Sequence, residues 1–368
     1  MMWWREGGAL LVALGLWACS GDAVGPGDPS SSSSGTGAGQ GTTGGSTGVG
    51  GDGFGGMPAS GAGGVGAGGD PGVGGGATTV DDPDQDGPYT TATIAGVESV
   101  SATGHDVAVH CAYPTGGPTA APYPVVLVGH GFQIAPSQYA SYVQRLASHG
   151  YVAMTVDFVA GFTSSNNVAQ ATELLAGLDW AEAEPSLAGL ADTSLVGTTG
   201  HSLGGKVAVL AAVNDARVKA TIALDPVDSS MNCSPTNCPD VSALLPIAKP
   251  TAFLGETIDA TGTFQACAPA ADNFETFYAN AATPSLKVHL LGANHVGFVD
   301  DVNTCGFACS FCNPASESNA VVNALSRAYV VAFFQRHLRG EVAYDDYLTG
   351  SQAQARYVTT GIATIESK

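Results

Sequence analysis

From residue 88 onward the sequence predicts an α/β fold, with a mostly parallel central sheet covered by helices on both faces. Three observations predict it. Pro124-Val125-Val126-Leu127-Val128-Gly129-His130-Gly131 and residues 151–158 are continuous apolar runs, as expected of strands buried on both faces. Such runs alternate with stretches of helical periodicity, the pattern of parallel strands joined by crossover helices. A β-prone run at 194–199 leads into Gly200-His201-Ser202-Leu203-Gly204-Gly205, and an Ala/Val/Leu-rich run follows, giving a strand–tight turn–helix junction.

Residues 1–18 read as an export leader, with Arg5 as the positive start and residues 9–18 as an apolar core too short to span a bilayer. The core ends in Leu16-Trp17-Ala18-Cys19-Ser20, which resembles a bacterial lipobox; an ordinary secretory leader with an incidental cysteine is the alternative. The resemblance implies cleavage before Cys19, lipidation of its thiol, and membrane attachment at the outer membrane or cell surface. Residues 19–87 are Gly/Ser/Thr-rich, with almost no large apolar side chains to offset chain entropy, and are expected to be a disordered tether. Its end, Asp81-Asp82-Pro83-Asp84-Gln85-Asp86-Gly87, lacks the distal Glu of a calcium loop and is expected to be a solvated acidic linker.

Residues 88–368 hold the predicted globular domain, about the size of one α/β unit. Residues 91–100 and 107–113 predict an opening hairpin or meander, and 124–131 the first buried strand. Helical periodicity over 138–149 stops at Gly150; a strand at 151–158 and a helix at 167–182 follow. After the Ser202 junction, strands are predicted at 218–224, 251–254 and 286–291, and a long apolar helix at 320–338 closes the sheet.

A net charge of −20 argues against DNA or RNA as a partner, because phosphates are repelled. Eight cysteines suit an exported protein. Setting Cys19 aside leaves Cys111, Cys233, Cys238, Cys267, Cys305, Cys309 and Cys312, an odd set with at least one thiol left over. Cys233 and Cys238 flank a short loop and are expected to close it. Cys267 has Cys305, Cys309 and Cys312 as candidate partners, and Cys309-x-x-Cys312 has zinc as its alternative use.

The Gly-x-Ser-x-Gly turn points to nucleophilic chemistry. A sharp strand-to-helix turn lifts the Ser202 hydroxyl clear of the sheet, and the Leu203 amide at the helix start faces the place where an oxyanion forms. The junction resembles the nucleophile elbow of the α/β-hydrolase superfamily. That resemblance implies a chain order of Ser, then Asp or Glu, then His, with a second oxyanion amide from the loop His130-Gly131-Phe132, assigned to Phe132. After Ser202 come His289 inside a strand, His337 on the terminal helix beside Arg336 and Arg339, and His295 in a loop just past a strand end. His295 is the expected general base. For the acid, Asp225, Glu256 and Asp259 all follow strand ends; the commonest hydrolase layout favours Asp259.

Gly200-His201-Ser202-Leu203-Gly204-Gly205-Lys206, Ile222-Ala223-Leu224-Asp225-Pro226-Val227, Cys267-Ala268-Pro269 and Asn294-His295-Val296-Gly297-Phe298-Val299-Asp300-Asp301 resemble plant chlorophyllases and their bacterial relatives. Arg145-Leu146-Ala147-Ser148-His149-Gly150-Tyr151, Asp157 and the ending Phe334-Gln335-Arg336-His337-Leu338-Arg339-Gly340 resemble bacterial cutinases and polyester hydrolases. The chlorophyllase likeness places the acid in the Asp-Pro segment, hence Asp225. Leu203 stands where chlorophyllases usually carry Arg, and no Trp follows Leu224 as it usually does in polyester hydrolases, so neither substrate is implied. The resemblances imply a serine carboxylic-ester hydrolase acting through an acyl-enzyme on a small, lipid or polymeric ester. That chemistry needs no metal and no organic cofactor, and a monomer is expected although the sequence does not fix the oligomeric state. An acyltransferase with the same Ser202, Asp225 and His295, or a surface-displayed binding protein without activity, are the alternatives.

Overall fold

The computed structural model describes residues 80–368 apart from 162–164, 230–232 and 263–265. The expected leader, Cys19 and nearly all of the tether lie outside the described residues.

Nine strands form one sheet in the order β1-β2-β4-β3-β5-β6-β7-β8-β9. They are β1 (Thr90–Val100), β2 (His105–Gly116), β3 (Tyr123–Gly129), β4 (Val152–Asp157), β5 (Ala191–His201), β6 (Val218–Leu224), β7 (Thr251–Gly255), β8 (Ser285–Leu290) and β9 (Ala363–Ser367). β1 and β2 form an antiparallel hairpin, and β2 runs antiparallel to β4. From β4 to β8 every pairing is parallel. β9 closes the far edge antiparallel to β8. The mostly parallel α/β architecture predicted from the apolar runs is the one observed.

All seven residues of β3 are buried. Their side chains alternate between two cores, as the period of two requires. Val126 and Val128 pack with Tyr142, Leu146, Phe333 and Phe334 on one face, supplied by α1 (Ala140–Ser148) and α5 (Asn319–His337). Val125 and Leu127 pack on the other with Leu174, Trp180, Val207 and Phe274, supplied by α2 (Asn167–Ala183), α3 (Leu203–Asn214) and α4 (Phe274–Asn280). The helix predicted over 138–149 is α1 preceded by a 3-10 turn at Pro136–Tyr139, and it stops where Gly150 takes φ +90°.

Two features depart from the sequence reading. β9 is short, with exposed Thr364, Glu366 and Ser367, and it exists because β8 offers a free edge to pair with. The acidic segment expected as solvated linker is docked. Arg356 makes ion pairs with Asp82 (2.8 Å) and with Asp84, Tyr357 Oη donates to Asp84 Oδ1 (3.0 Å), and Tyr344 Oη donates to the Asp81 carbonyl (3.0 Å). Its partners come from the distant carboxyl end of the chain, so local composition cannot reveal them.

Because β3, β5, β6, β7 and β8 are parallel neighbours, the segments following them emerge along one edge of the sheet. That edge is the usual place for a ligand crevice in parallel α/β sheets. Ser202, Asp225, Glu256 and the loop of His295 all lie there.

Candidate active site

β5 ends at His201 and α3 begins at Leu203, so Ser202 alone makes the turn, at φ 58° and ψ −122°. A non-glycine residue at positive φ costs about 1–3 kcal/mol, and persists only where its surroundings hold it. Here the Ser202 N–H donates to the Leu224 carbonyl of β6 (3.0 Å), and the Ser202 carbonyl accepts the Lys206 N–H of α3 (3.1 Å). The flanking glycines permit close approach of backbone to backbone. A Cβ on Gly200 lies 2.4 Å from the Gly204 carbonyl oxygen, and one on Gly204 lies 2.2 Å from that of Gly129 at the end of β3. The β3 loop is thereby brought against the start of α3.

The Ser202 hydroxyl lies 2.8 Å from His295 Nε2, and His295 Nδ1 lies 2.7 Å from Asp225 Oδ2. A carboxylate only accepts, so the ring proton sits on Nδ1 and Nε2 is left to accept the serine O–H. Asp225 is fully buried and itself sits at positive φ (43°), fixed by its N–H donating to Leu254 O (2.6 Å). Burial pushes its carboxyl up from the ordinary range; the hydrogen bond from His295 opposes that.

The other two candidate carboxylates do different things. Asp259 accepts the backbone N–H of His295 (2.8 Å) through one oxygen and the backbone N–H of Asn313 (2.6 Å) through the other. Glu256 accepts the Asp259 N–H (3.0 Å). The ring of His295 therefore meets Asp225, while its main chain is held by Asp259.

Leu203 is the first residue of α3, and Phe132 follows Gly131 in the loop after β3. A chain of hydrogen bonds not foreseen from sequence ties that loop to His295. The Gly131 N–H donates to Tyr139 Oη (3.1 Å), Tyr139 Oη–H donates to His201 Nδ1 (2.8 Å), and His201 Nε2–H donates to the His295 carbonyl (2.7 Å). Both middle residues are fully buried, and burial holds the His201 ring well below the ordinary histidine range, hence neutral. The only local signal was His201 inside the Gly-x-Ser-x-Gly turn; its partners are set by the fold.

His289 and His337 stand apart from this chain. His289 Nε2 lies 3.1 Å from Thr257 Oγ1. His337 packs on Phe333, and burial, with the Arg336 charge beside it, lowers it to about 4.

The cysteines brace the same edge. Cys233–Cys238 closes its loop as expected, Cys267 pairs with Cys312, and Cys305 pairs with Cys309. Cys309 and Cys312 thus have separate partners, which removes the thiolate pair a zinc site there needs. Cys111 is the leftover thiol, buried in β2 and pushed up to about 12 by burial. On the β6 side, Lys206 of α3 is buried against Asp228 (3.0 Å), whose oxygens also accept the N–H groups of Val241 and Ser242. That pair fixes the segment following Asp225.

The arrangement is a continuous hydrogen-bond chain from a raised hydroxyl through an imidazole to a buried carboxylate. Chemically, a serine hydroxyl bonded to an imidazole that a carboxylate orients is the arrangement able to activate a serine as nucleophile. A family model described as chlorophyllase matches residues 85–357. Chlorophyllase-2 of Arabidopsis thaliana is 25% identical over 248 residues, 60% of this chain and 74% of that one. Bis(hydroxyethyl) terephthalate hydrolase of Streptomyces coelicolor is 30% identical over 206 residues, 55% of this chain and 59% of that one. Cutinase 2 of Thermobifida cellulosilytica is 27% identical over 177 residues, 47% of this chain and 60% of that one.

Proposed function

The chain belongs to the chlorophyllase family of α/β-hydrolase esterases, and from that premise we propose that it is a serine carboxylic-ester hydrolase using Ser202, His295 and Asp225. The observation that carries the reading is the unbroken hydrogen-bond chain Ser202–His295–Asp225, with distances of 2.8 and 2.7 Å.

In this reading His295 Nε2 takes the Ser202 proton as Oγ attacks the ester carbonyl. The Leu203 and Phe132 N–H groups receive the oxyanion. The imidazolium returns its proton to the departing alcohol, leaving an acyl-serine. Water then attacks with His295 again as base, the free acid leaves, and Ser202 is restored. Asp225 holds the Nδ1–H tautomer and stabilises the imidazolium.

The relatives differ in what their names say they act on: chlorophyll for one, a terephthalate diester for another, cutin for a third. What they share is the carboxylic ester, and that class is the one proposed here. Export and lipid attachment through Cys19 belong to the same proposal, supported by the leader and the lipobox-like segment; labelled palmitate incorporated by the wild type and lost in Cys19→Ser tests it. For the chemistry, the test is turnover of p-nitrophenyl butyrate together with labelling by a fluorophosphonate. Both are expected to vanish in Ser202→Ala; turnover that survives the substitution overturns the reading.

A further inference from the structure

Glu256 follows β7 and is fully buried beside the Ser202–His295–Asp225 chain, yet the path described above does not use it. Its backbone N–H donates to Asp225 Oδ1 (3.3 Å), which sets the two residues side by side. One carboxylate oxygen of Glu256, one of Asp225 and a ring nitrogen of His295 all lie within 4.8 Å of one another. Oε2 of Glu256 accepts the Asp259 N–H (3.0 Å). Oε1 is shut off from solvent and has no hydrogen-bond partner among the described residues. The backbone N–H groups of Asp259 and Ile258 act on the carboxylate and favour its charged form, against burial and the Asp225 charge.

A buried acceptor without a donor costs about 1–3 kcal/mol, and a buried carboxylate without a counter-charge costs more. No ion pair among the described residues includes Glu256. The charged groups that face it are Asp225 from the end of β6 and Asp259 from the turn after β7, both negative. From the β8 side come His295, already committed to Asp225 and Ser202, and His289, whose ring meets Thr257. Lys287 of β8 is engaged by Glu275 and Glu366. A proton on Oε1 relieves the two largest of these costs, burial and the Asp225 charge. It removes the third negative charge, and it converts an orphaned acceptor into a donor facing carboxylates that only accept.

We propose that Glu256 is a positioning residue that works as a neutral carboxylic acid, its Oε1–H directed at the Asp225 carboxylate and its Oε2 holding the turn of Asp259. This rests on the esterase reading of the site. Burial first, and the Asp225 charge second, push the Glu256 carboxyl up to about 9, so the acid keeps its proton at neutral pH. A neutral donor shares the Asp225 charge without adding a second one. Through Asp225 it fixes the His295 ring, and through Asp259 the His295 backbone. Once Glu256 ionises, two carboxylates stand face to face in a buried site and this arrangement fails.

Two readouts test it. The first needs no turnover: infrared difference spectra at neutral pH are expected to show a protonated-carboxyl band that fades as pH passes about 9 and is absent from Glu256→Gln. The second is kinetic. Glu256→Leu, which removes donor and acceptor together, is expected to lower kcat for p-nitrophenyl butyrate at least about tenfold with little change in KM. Glu256→Gln, whose amide supplies both groups, is expected to recover most of that loss and to lack the alkaline decline expected of the wild type near 9. A wild type without the band, a band that survives Glu256→Gln, or a Gln variant as slow as the Leu variant overturns the proposal. A protein with the band but no esterase turnover overturns the esterase reading and leaves the protonation of Glu256 standing.

Discussion

Asp259 accepts the backbone N–H of His295 at 2.8 Å and leaves the ring to another carboxylate. Two acids thus serve one histidine, one by orienting its ring and one by holding its main chain. The consequences of removing them differ in kind. Asp225→Asn replaces the acceptor of the Nδ1 proton with an amide that stabilises the wrong tautomer, and kcat is expected to fall by about 10⁴. Asp259→Asn keeps an acceptor for one of its two backbone donors, so the expected loss is about tenfold to a hundredfold in kcat, with a lowered Tm. Steady-state kinetics and thermal melts of the two variants check the contrast; equal losses in kcat contradict it.

Tyr139 connects Gly131 to His201 and, through it, to the carbonyl of His295. Tyr139→Phe keeps the ring packed but leaves a buried N–H and a buried imidazole nitrogen unpaired. The expected cost is about 1–3 kcal/mol in stability. Because Gly131 precedes Phe132, the same variant is expected to lower kcat about tenfold with KM nearly unchanged. A denaturant melt and a Michaelis–Menten series measure both; a variant with wild-type kcat disconnects this chain from catalysis at the loop of Phe132.

How much of this was legible beforehand follows from how local each signal is. Ser202 announces itself through glycines two positions to either side, whose absent Cβ atoms are required by contacts inside one turn. His295 stands just past a strand end, again a local property. The acid is different: Asp225, Glu256 and Asp259 all follow strands, the spacing leaves them open, and only the chlorophyllase likeness points to Asp225. It is the side-chain geometry at the ends of β6 and β7 that gives the ring to Asp225 and the His295 main chain to Asp259. Tyr139, and the docking of Asp82 and Asp84 on Arg356, depend on partners far away in sequence, so no window of residues could reveal them. The same holds for β9, which is a strand only because β8 has an open edge.

Cys267–Cys312 ties the segment after β7, which carries Asp259, to the segment in which Asn313 caps the Asp259 carboxylate. The bridge spans a sequence separation of 45, for which chain entropy alone gives a stabilisation of about 4 kcal/mol. Cys267→Ser with Cys312→Ser is expected to lose about 2–4 kcal/mol and to weaken the hold on the His295 backbone, lowering kcat as Asp259→Asn does. Combining Asp259→Asn with the double serine variant checks the link. Less than additive losses in kcat are expected, because both changes act on one clamp; fully additive losses separate the disulfide from His295.

The protonation of Glu256 has a thermodynamic consequence that can be read without any substrate. Its folded value is about 9, against an ordinary value of 4.5 in the unfolded chain. Between those two values the folded protein holds a proton that the unfolded chain has released. Stability therefore falls as pH rises through that window, and levels off above the folded value. Glu256→Gln carries no such proton, so its advantage over the wild type grows with pH. Across about pH 5 to about pH 8 the difference accumulates at up to about 1.4 kcal/mol per pH unit, which is several degrees in Tm for a domain of this size. Melts of both proteins over that range check it. A Tm difference that stays flat with pH, or one that narrows toward the alkaline side, shows that Glu256 is ionised in the folded state.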